Sequence, residues 1–318
     1  MNKKNTNKSP IAVVRTCASS GNLGPGFDIL GLALDIYDKY HVYESEDRRY
    51  HIDYHGDIKD YSLPKDESSL VVKSIKAVLQ KYLHRINPLK DLSKIEIPLE
   101  INTGIRIPIG KGLGSSAAAL AAGLLIANKI YNLNLEKEEL LNIGVDIEGH
   151  PDNLAASLYG GLVVCYISNG RYKVKKINMD KNFKILLIVT ENNVDTRKAR
   201  KLLPRELPFE DCIYNIRNTV LLVESLREGN LENVSDFMDD RIHQPKRRKI
   251  YPTSFKLVRE LTSKYKIPAA ISGAGPTVII ILGKMSANKD KEIKAEIEKY
   301  PGFKCILTSI SQRGSYYE

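Results

Sequence analysis

The sequence predicts a two-domain protein of the α+β class. Three observations carry that prediction: amphipathic helices around an alternating strand, a glycine-rich loop that this strand feeds, and a change of texture after Tyr159-Gly160-Gly161. Beyond that point the order is strand, helices, strand, helix, strand, which suits an α+β sandwich. A chain of 318 residues holds one large domain or two medium ones. The expected division is a frayed tail over 1–9, a first domain over 10–175 and a second over 176–318.

Each element has a local reason. RYHIDYHGD reads as extended, so His51 and His55 are expected as surface histidines rather than as an i,i+4 metal pair. Ser68 to His84 places Val71, Ile75, Val78, Leu79 and Leu83 on one helical face. Lys94 to Asn102 alternates, with Ile95, Ile97, Leu99 and Ile101 on one side, and reads as a half-buried strand. The apolar run Leu113 to Ile130 is mostly alanine and is broken by Ser115, Ser116 and Asn128, so it is expected as a buried helix and not a membrane span. Leu135 to Ile147 is a further amphipathic helix with Asn134 as its N-cap. LVVCYIS is a strand, and Asn169-Gly170 marks a hairpin turn. From Lys184 come strand ILLIVT, helices from about Thr196 to Leu261, strand TVIIIL, a helix over 286–300 and strand FKCILTSI.

Composition narrows the function classes. Hydrophobic content of 42% and charged content of 27% fit an ordinary globular protein. The net charge of +10 is not organised into a basic run interleaved with aromatics, so nucleic acid is not expected as a partner. Lys246 to Lys249 is short and reads, by composition alone, as a surface turn. Cys17, Cys165, Cys212 and Cys305 form no CxxC pair, which fits neither a zinc site nor a disulfide framework. MNKKNTNKSP lacks the apolar core of a signal peptide, so a cytoplasmic location without membrane attachment is expected.

The richest string is PIGKGLGSSAAA, Pro108 to Ala119. Gly110, Gly112 and Gly114 let the backbone bend and approach a ligand, and Ser115 and Ser116 open a helix whose free N–H groups favour an anion. It is not a P-loop, because Lys111 is followed by Gly112, and it does not supply the GxGxxG of a dinucleotide fold. Four further strings accompany it: SSGNLGPGFD (Ser19 to Asp28), EGHPDN (Glu148 to Asn153), a pair of arginine-centred segments at Thr196 to Pro204 and Asp240 to Pro252, and SGAGPT (Ser272 to Thr277).

Taken in this order the strings resemble the GHMP small-molecule kinases, over residues 16 to 277. The resemblance implies a ribosomal-protein-like N-terminal α/β domain, a ferredoxin-like C-terminal α/β sandwich, and a nucleotide in the cleft between them. The match is closest to the branch acting on L-homoserine, so the implied reaction is phosphorylation of that side-chain hydroxyl from ATP and Mg²⁺, by a homodimer. Pro108, Ile109, Gly110, Lys111, Gly112, Leu113, Gly114, Ser115, Ser116, Ala117 and Ala118 would then hold the triphosphate, with charge added by Lys111. Ser116 and Glu148 would hold Mg²⁺, with Asp146 as the alternative carboxylate. Asp28 and Asn22 would take the substrate ammonium, and Arg200 and Arg247 its carboxylate, with Thr196 nearby. Asn153 would bond the reacting hydroxyl, and His150 is either a positioning donor or a structural histidine. Gly21 departs from the alanine usual in the family, a change expected to be harmless.

Overall fold

A computed structural model describes residues 8–56, 58, 61–86, 96–179, 183–191, 196–283 and 287–318, the side chains of 83–86, 196–197 and 287–290 excepted. Most of the expected tail thus lies outside the described residues.

The first half is built on β1 (Ala12–Gly21), β2 (Leu30–Glu44), β3 (His51–Gly56), α1 (Leu70–Ile86), β4 (Leu99–Ile105), α2 (Ser115–Ile130), α3 (Lys137–Glu148), α4 (Asp152–Tyr159), β5 (Leu162–Ser168) and β6 (Arg171–Ile177). β2 is long enough to serve two partners on one edge. Lys39–Glu44 pairs with β4, and Leu30–Leu32 pairs with β5, while β1 runs along the other edge. β3 and β4 are parallel, and α1 makes the crossover that parallel strands require. β5 and β6 form the expected hairpin, with Asn169 and Gly170 at φ 52° and 70°.

β4 starts at Leu99, just beyond Pro98, and continues past the expected end because the alternation persists through buried Thr103 and Ile105. Lys94 and Ile95 lie outside the described residues. α3 is capped differently from expectation. Asn134 sits at φ 53°, outside the helix, and Glu136 takes the N-cap, its N–H donating to the Glu139 carboxylate at 3.0 Å. α2 carries ten buried residues, Ala117 to Ala127 less Ala119, which explains its lack of a polar face. Among the described residues no helix is long and apolar enough to cross a membrane.

The second half comprises β7 (Lys184–Val189), α5 (Thr196–Lys201), α6 (Phe209–Glu228), α7 (Val234–Phe237), α8 (Gln244–Arg247), α9 (Pro252–Arg259), a π-turn over Glu260–Lys264, β8 (Ala269–Ile271), β9 (Val278–Leu282), α10 (Ala287–Ile297) and β10 (Lys304–Ser309). Its sheet order is β10-β7-β9-β8, antiparallel throughout, the ferredoxin-like arrangement. Both faces are buried. Ile185, Leu187, Ile279 and Ile281 point into a core shared with the first half, and Ile188, Val278 and Ile280 into one against α9 and the π-turn. A run such as VIIIL is therefore continuous rather than alternating.

The shared core, which includes Ala18, Leu30, Leu113 and Leu162 with Leu222 and Phe183, ties the halves together. The last strand, β11 (Tyr316–Tyr317), returns to pair with β1, so the end of the chain leaves the second sheet and joins the first.

Candidate active site

Where the halves meet, one cleft is lined by Asn22, Phe27, Asp28, Gly110, Gly112, Gly114, Ser115, Ser116, Glu148, His150, Asp152, Asn153, Arg200, Arg247, Gly273 and Ala274. All five kinds of unusual string converge there.

The glycine loop is held from behind. Gly112 (φ 74°) packs on the SGAGPT turn, where a Cβ would press on the carbonyls of Ser272 and Gly275, and Gly114 (φ 72°) packs on Ser19. Ser272 donates its hydroxyl to the Gly112 carbonyl at 2.6 Å, and the Ser19 N–H donates to Leu113 at 3.0 Å. Gly114 is the N-cap of α2 and offers no side chain, so the first N–H groups of α2 stand open at the cleft. That leaves a positive helix end for an anion.

Lys111 departs from expectation. Its ammonium donates to the Glu191 carbonyl, and the side chain is not part of the cleft lining. Leu113, Ala117 and Ala118 are buried, so they support the loop by packing. Ile109 lines an adjoining cavity of about 350 Å³ that shares Ser115 and Ser116 with the cleft and is walled by Tyr40, Tyr54, Leu63, Pro64, Leu70 and Val71.

Ser116 donates to Glu148 at 2.9 Å, placing a hydroxyl and a carboxylate side by side in the cleft. The alternative, Asp146, is 76% exposed on another face of α3, with Lys81 at 3.8 Å. Two residues along a helix turn the side chain by roughly 200°, so Glu148 and Asp146 cannot serve one site. A hydroxyl and a carboxylate are hard oxygen donors of the kind that would hold Mg²⁺.

EGHPDN folds into a compact polar knot. Asp152, buried, accepts from the Asn153 N–H at 2.8 Å and from His150 Nδ1 at 3.0 Å. Burial works against a charged His150, but the bond and charge of Asp152, aided by Glu148, outweigh it and raise its pKa above the ordinary value. Ser19 donates to Asn153 Oδ1 at 3.1 Å and so orients the amide. At Gly21 a Cβ would come within 2.6 Å of Asn153 Nδ2 and press on Asp152. The glycine gives those two side chains their room.

At the other end, Arg200 grips Asp28 through Nη1–Oδ2 at 2.8 Å and Nη2–Oδ1 at 2.7 Å. That bond raises the Arg200 pKa. Arg247, read as a surface turn by composition, is only 2% exposed, its Nε donating to the Ala199 carbonyl at 3.1 Å. Burial, with the like charge of Arg200, lowers its pKa. No ion pair satisfies it among the described residues. Both guanidinium groups approach the Phe27 ring, with Arg200 Cζ 5.3 Å and Arg247 Cζ 5.4 Å from its centroid. Asn22 spends both ends of its amide on structure, donating to Gly273 at 2.9 Å and accepting from the Asp28 N–H at 3.1 Å. The Thr196 side chain lies outside the described residues.

Residues 69–161 match the GHMP kinases N terminal domain, and residues 222–299 match the GHMP kinases C terminal. A homoserine kinase of Petrotoga mobilis is 32% identical over 303 residues, covering 95% of this chain and 94% of that one. The chain belongs to the GHMP kinase family. A second GHMP relative, the homoserine kinase of Natranaerobius thermophilus, is 34% identical over 278 residues, covering 87% and 86% of the two chains. The crystal structure of homoserine kinase from Cytophaga hutchinsonii superposes over the whole of both chains with a TM-score of 0.80 at 26% identity. These matches put the chain on the homoserine kinase branch of the GHMP kinases.

Sequence reasoning missed Phe27, Asp152, Gly273 and Ala274 as cleft residues. Phe27 had a signal: it is the one large side chain inside the GPGFD turn. Gly273 and Ala274 stood in a string already singled out, yet nothing local says which turn reaches the cleft.

Proposed function

We propose that this chain transfers the terminal phosphoryl group of ATP to the side-chain hydroxyl of L-homoserine, giving O-phospho-L-homoserine. The observation that carries the reading is a cleft with an open helix N-terminus at one end and a carboxylate with two guanidinium groups at the other. The first suits a polyphosphate and the second a zwitterion. The adjoining apolar cavity fits a nucleoside, since it meets the phosphate end at Ser115 and Ser116.

In this reading Asp28 takes the substrate ammonium, Arg200 and Arg247 take the carboxylate, and Asn153 bonds the hydroxyl. Ser116 and Glu148 would hold Mg²⁺, which supplies charge neutralisation on the phosphates. Asparagine cannot act as a base at neutral pH, and Asp152 is occupied by His150 and Asn153. Phosphoryl transfer has a loose transition state, so alignment and charge neutralisation can supply most of the rate. His150 then acts by fixing Asp152. The reading includes a cytoplasmic homodimer and the two-domain division near residue 175.

The test is ADP release measured with L-homoserine, L-serine, mevalonate and galactose as acceptors. Turnover with homoserine well above the rest is expected. A preference for mevalonate or galactose would move the chain to another GHMP activity.

A further inference from the structure

Three buried residues outside the cleft lining, Cys17, Ser157 and Ser315, tie α4 to β1 and to the end of the chain. Ser157 donates its hydroxyl to the Cys17 carbonyl at 3.0 Å, and Cys17 Sγ approaches the Ser157 carbonyl at 3.4 Å. Ser315 closes the group. Its hydroxyl and its N–H both donate to the Ser157 carbonyl, at 2.9 and 2.7 Å, and its oxygen accepts from the Cys17 N–H at 3.4 Å. A helix end needs its carbonyls met, but the Ser315 N–H alone meets that of Ser157. Capping therefore leaves the two hydroxyls unexplained.

Spacing explains them. Ser157 stands four residues beyond Asn153 on α4, about 6 Å along the helix axis, and Cys17 stands two residues before Ser19 on β1, about 7 Å along the strand. Strand and helix thus meet in two rungs at matching separations, Ser19 to Asn153 at 3.1 Å and Cys17 to Ser157 at 3.0 Å. A slip of one residue along α4 turns each side chain by roughly 100° and breaks both rungs. The row continues at Gly21, where the lack of a side chain admits Asp152. One rung ends on an amide that lines the cleft. The other is locked by Ser315, which the pairing of β11 with Val14 and Arg15 fixes to β1.

We propose that Ser157 and Ser315 are positioning residues for phosphoryl transfer. They fix the register of α4 on β1 and, through the Ser19–Asn153 bond, aim the Asn153 amide at the acceptor hydroxyl. This rests on the role of Asn153 in the proposed function. The test is a double-mutant cycle on the full chain, read as kcat with the acceptor that wild type prefers and as Tm, with circular dichroism to verify folding. Ser157→Ala and Ser315→Ala should each lower kcat several-fold and leave the KM for ATP unchanged. Ser315→Ala keeps the N–H bond to α4, so it carries the test even where Ser157→Ala does not fold. Ser19→Ala breaks the bond through which both act, so in that background either change should cost less than about twofold in kcat. The drop in Tm should be the same in both backgrounds. An unchanged kcat, or an equal loss of kcat with and without Ser19, would overturn the proposal and leave a structural clamp. The reading it rests on fails by a different sign, an Asn153→Ala enzyme with wild-type kcat.

Discussion

Asp28 and Arg200 hold each other in the cleft by two parallel hydrogen bonds of 2.7 and 2.8 Å, across 172 residues of sequence. In the proposed reading each is the complement of one end of a zwitterion, so a bound amino acid would exchange one internal ion pair for two external ones. Arg247 has no such ion-pair partner among the described residues, and burial lowers its pKa. In the proposed reading its charge is the one a substrate carboxylate would relieve most.

That asymmetry sets the first prediction. Removing one partner of a buried charge pair costs on the order of 2–5 kcal/mol. Arg247→Ala should fall at the upper end, and Arg200→Ala at the lower because its side chain is 39% exposed. About 2 kcal/mol is already a thirtyfold loss in kcat/KM. Lysine at either position should recover part of the loss, since an ammonium lacks the bidentate fork. An amino alcohol without the carboxylate should be a poor substrate and much less sensitive to either change. Equal sensitivity would assign the arginines to the nucleotide or the fold.

The Ser116–Glu148 pair predicts a shift in metal demand. Glu148→Gln keeps the hydrogen-bond geometry but loses the charge, so the Mg²⁺ concentration for half-maximal rate should rise roughly tenfold or more. Asp146→Asn should leave it unchanged, since that side chain lies on another face. The reverse pattern in a Mg²⁺ titration would return the assignment to Asp146.

Much of this fold is legible in the sequence where periodicity is clean, as in α1, β7 and the Asn169-Gly170 hairpin. β1 is not. Its second half, CASSG, is buried and built of small or polar residues, so it imitates a loop. The site is legible as a set of strings but not in its contacts. Lys111 follows a glycine in a phosphate loop, yet its ammonium goes to Glu191, a choice fixed by the distant β7 end. Arg247 reads as surface within a basic run, and only tertiary packing buries it.

The glycines predict a fold effect together with an activity effect. A side chain at Gly112 or Gly114 would not simply fill phosphate space in an intact fold. The Cβ would instead meet Ser272 and Gly275, or Ser19, in a backbone region that disfavours side chains. Gly114→Ala should therefore cost more than about 1 kcal/mol and lower Tm and activity together. Ser116→Ala should lower activity at unchanged Tm. A Gly114→Ala enzyme with wild-type Tm and no activity would restore the simpler explanation.

Asn153 should act through geometry. Asn153→Ala is expected to lower kcat with little change in the KM for ATP. Ser19→Ala, which frees the amide, should cost about tenfold, the worth of one hydrogen bond. Neither rate should step with pH as an essential base would require. Rescue of an inactive His150→Ala enzyme by imidazole would mean that His150 handles a proton.

Asp38 carries a prediction in pH. It is 2% exposed and accepts from the Arg106 and Ile107 N–H groups at 2.7 and 2.9 Å, anchoring the chain where it enters the glycine loop. Burial raises its pKa to about 6, against the pull of those two bonds. An unfolded chain ionises the same group near 3.9, so the folded state binds this proton more tightly. The associated stability is present below about pH 4 and is lost as pH rises to about 6, by up to about 3 kcal/mol. Asp38→Asn keeps a side-chain oxygen for both N–H groups and cannot ionise. Urea unfolding of both proteins from pH 4 to 7 isolates the effect, because every other titrating group is common to the pair. Wild type should lose ground to Asp38→Asn between pH 4 and 6 and then run parallel to it. Parallel curves across the whole range would mean that Asp38 ionises as readily in the fold as in water.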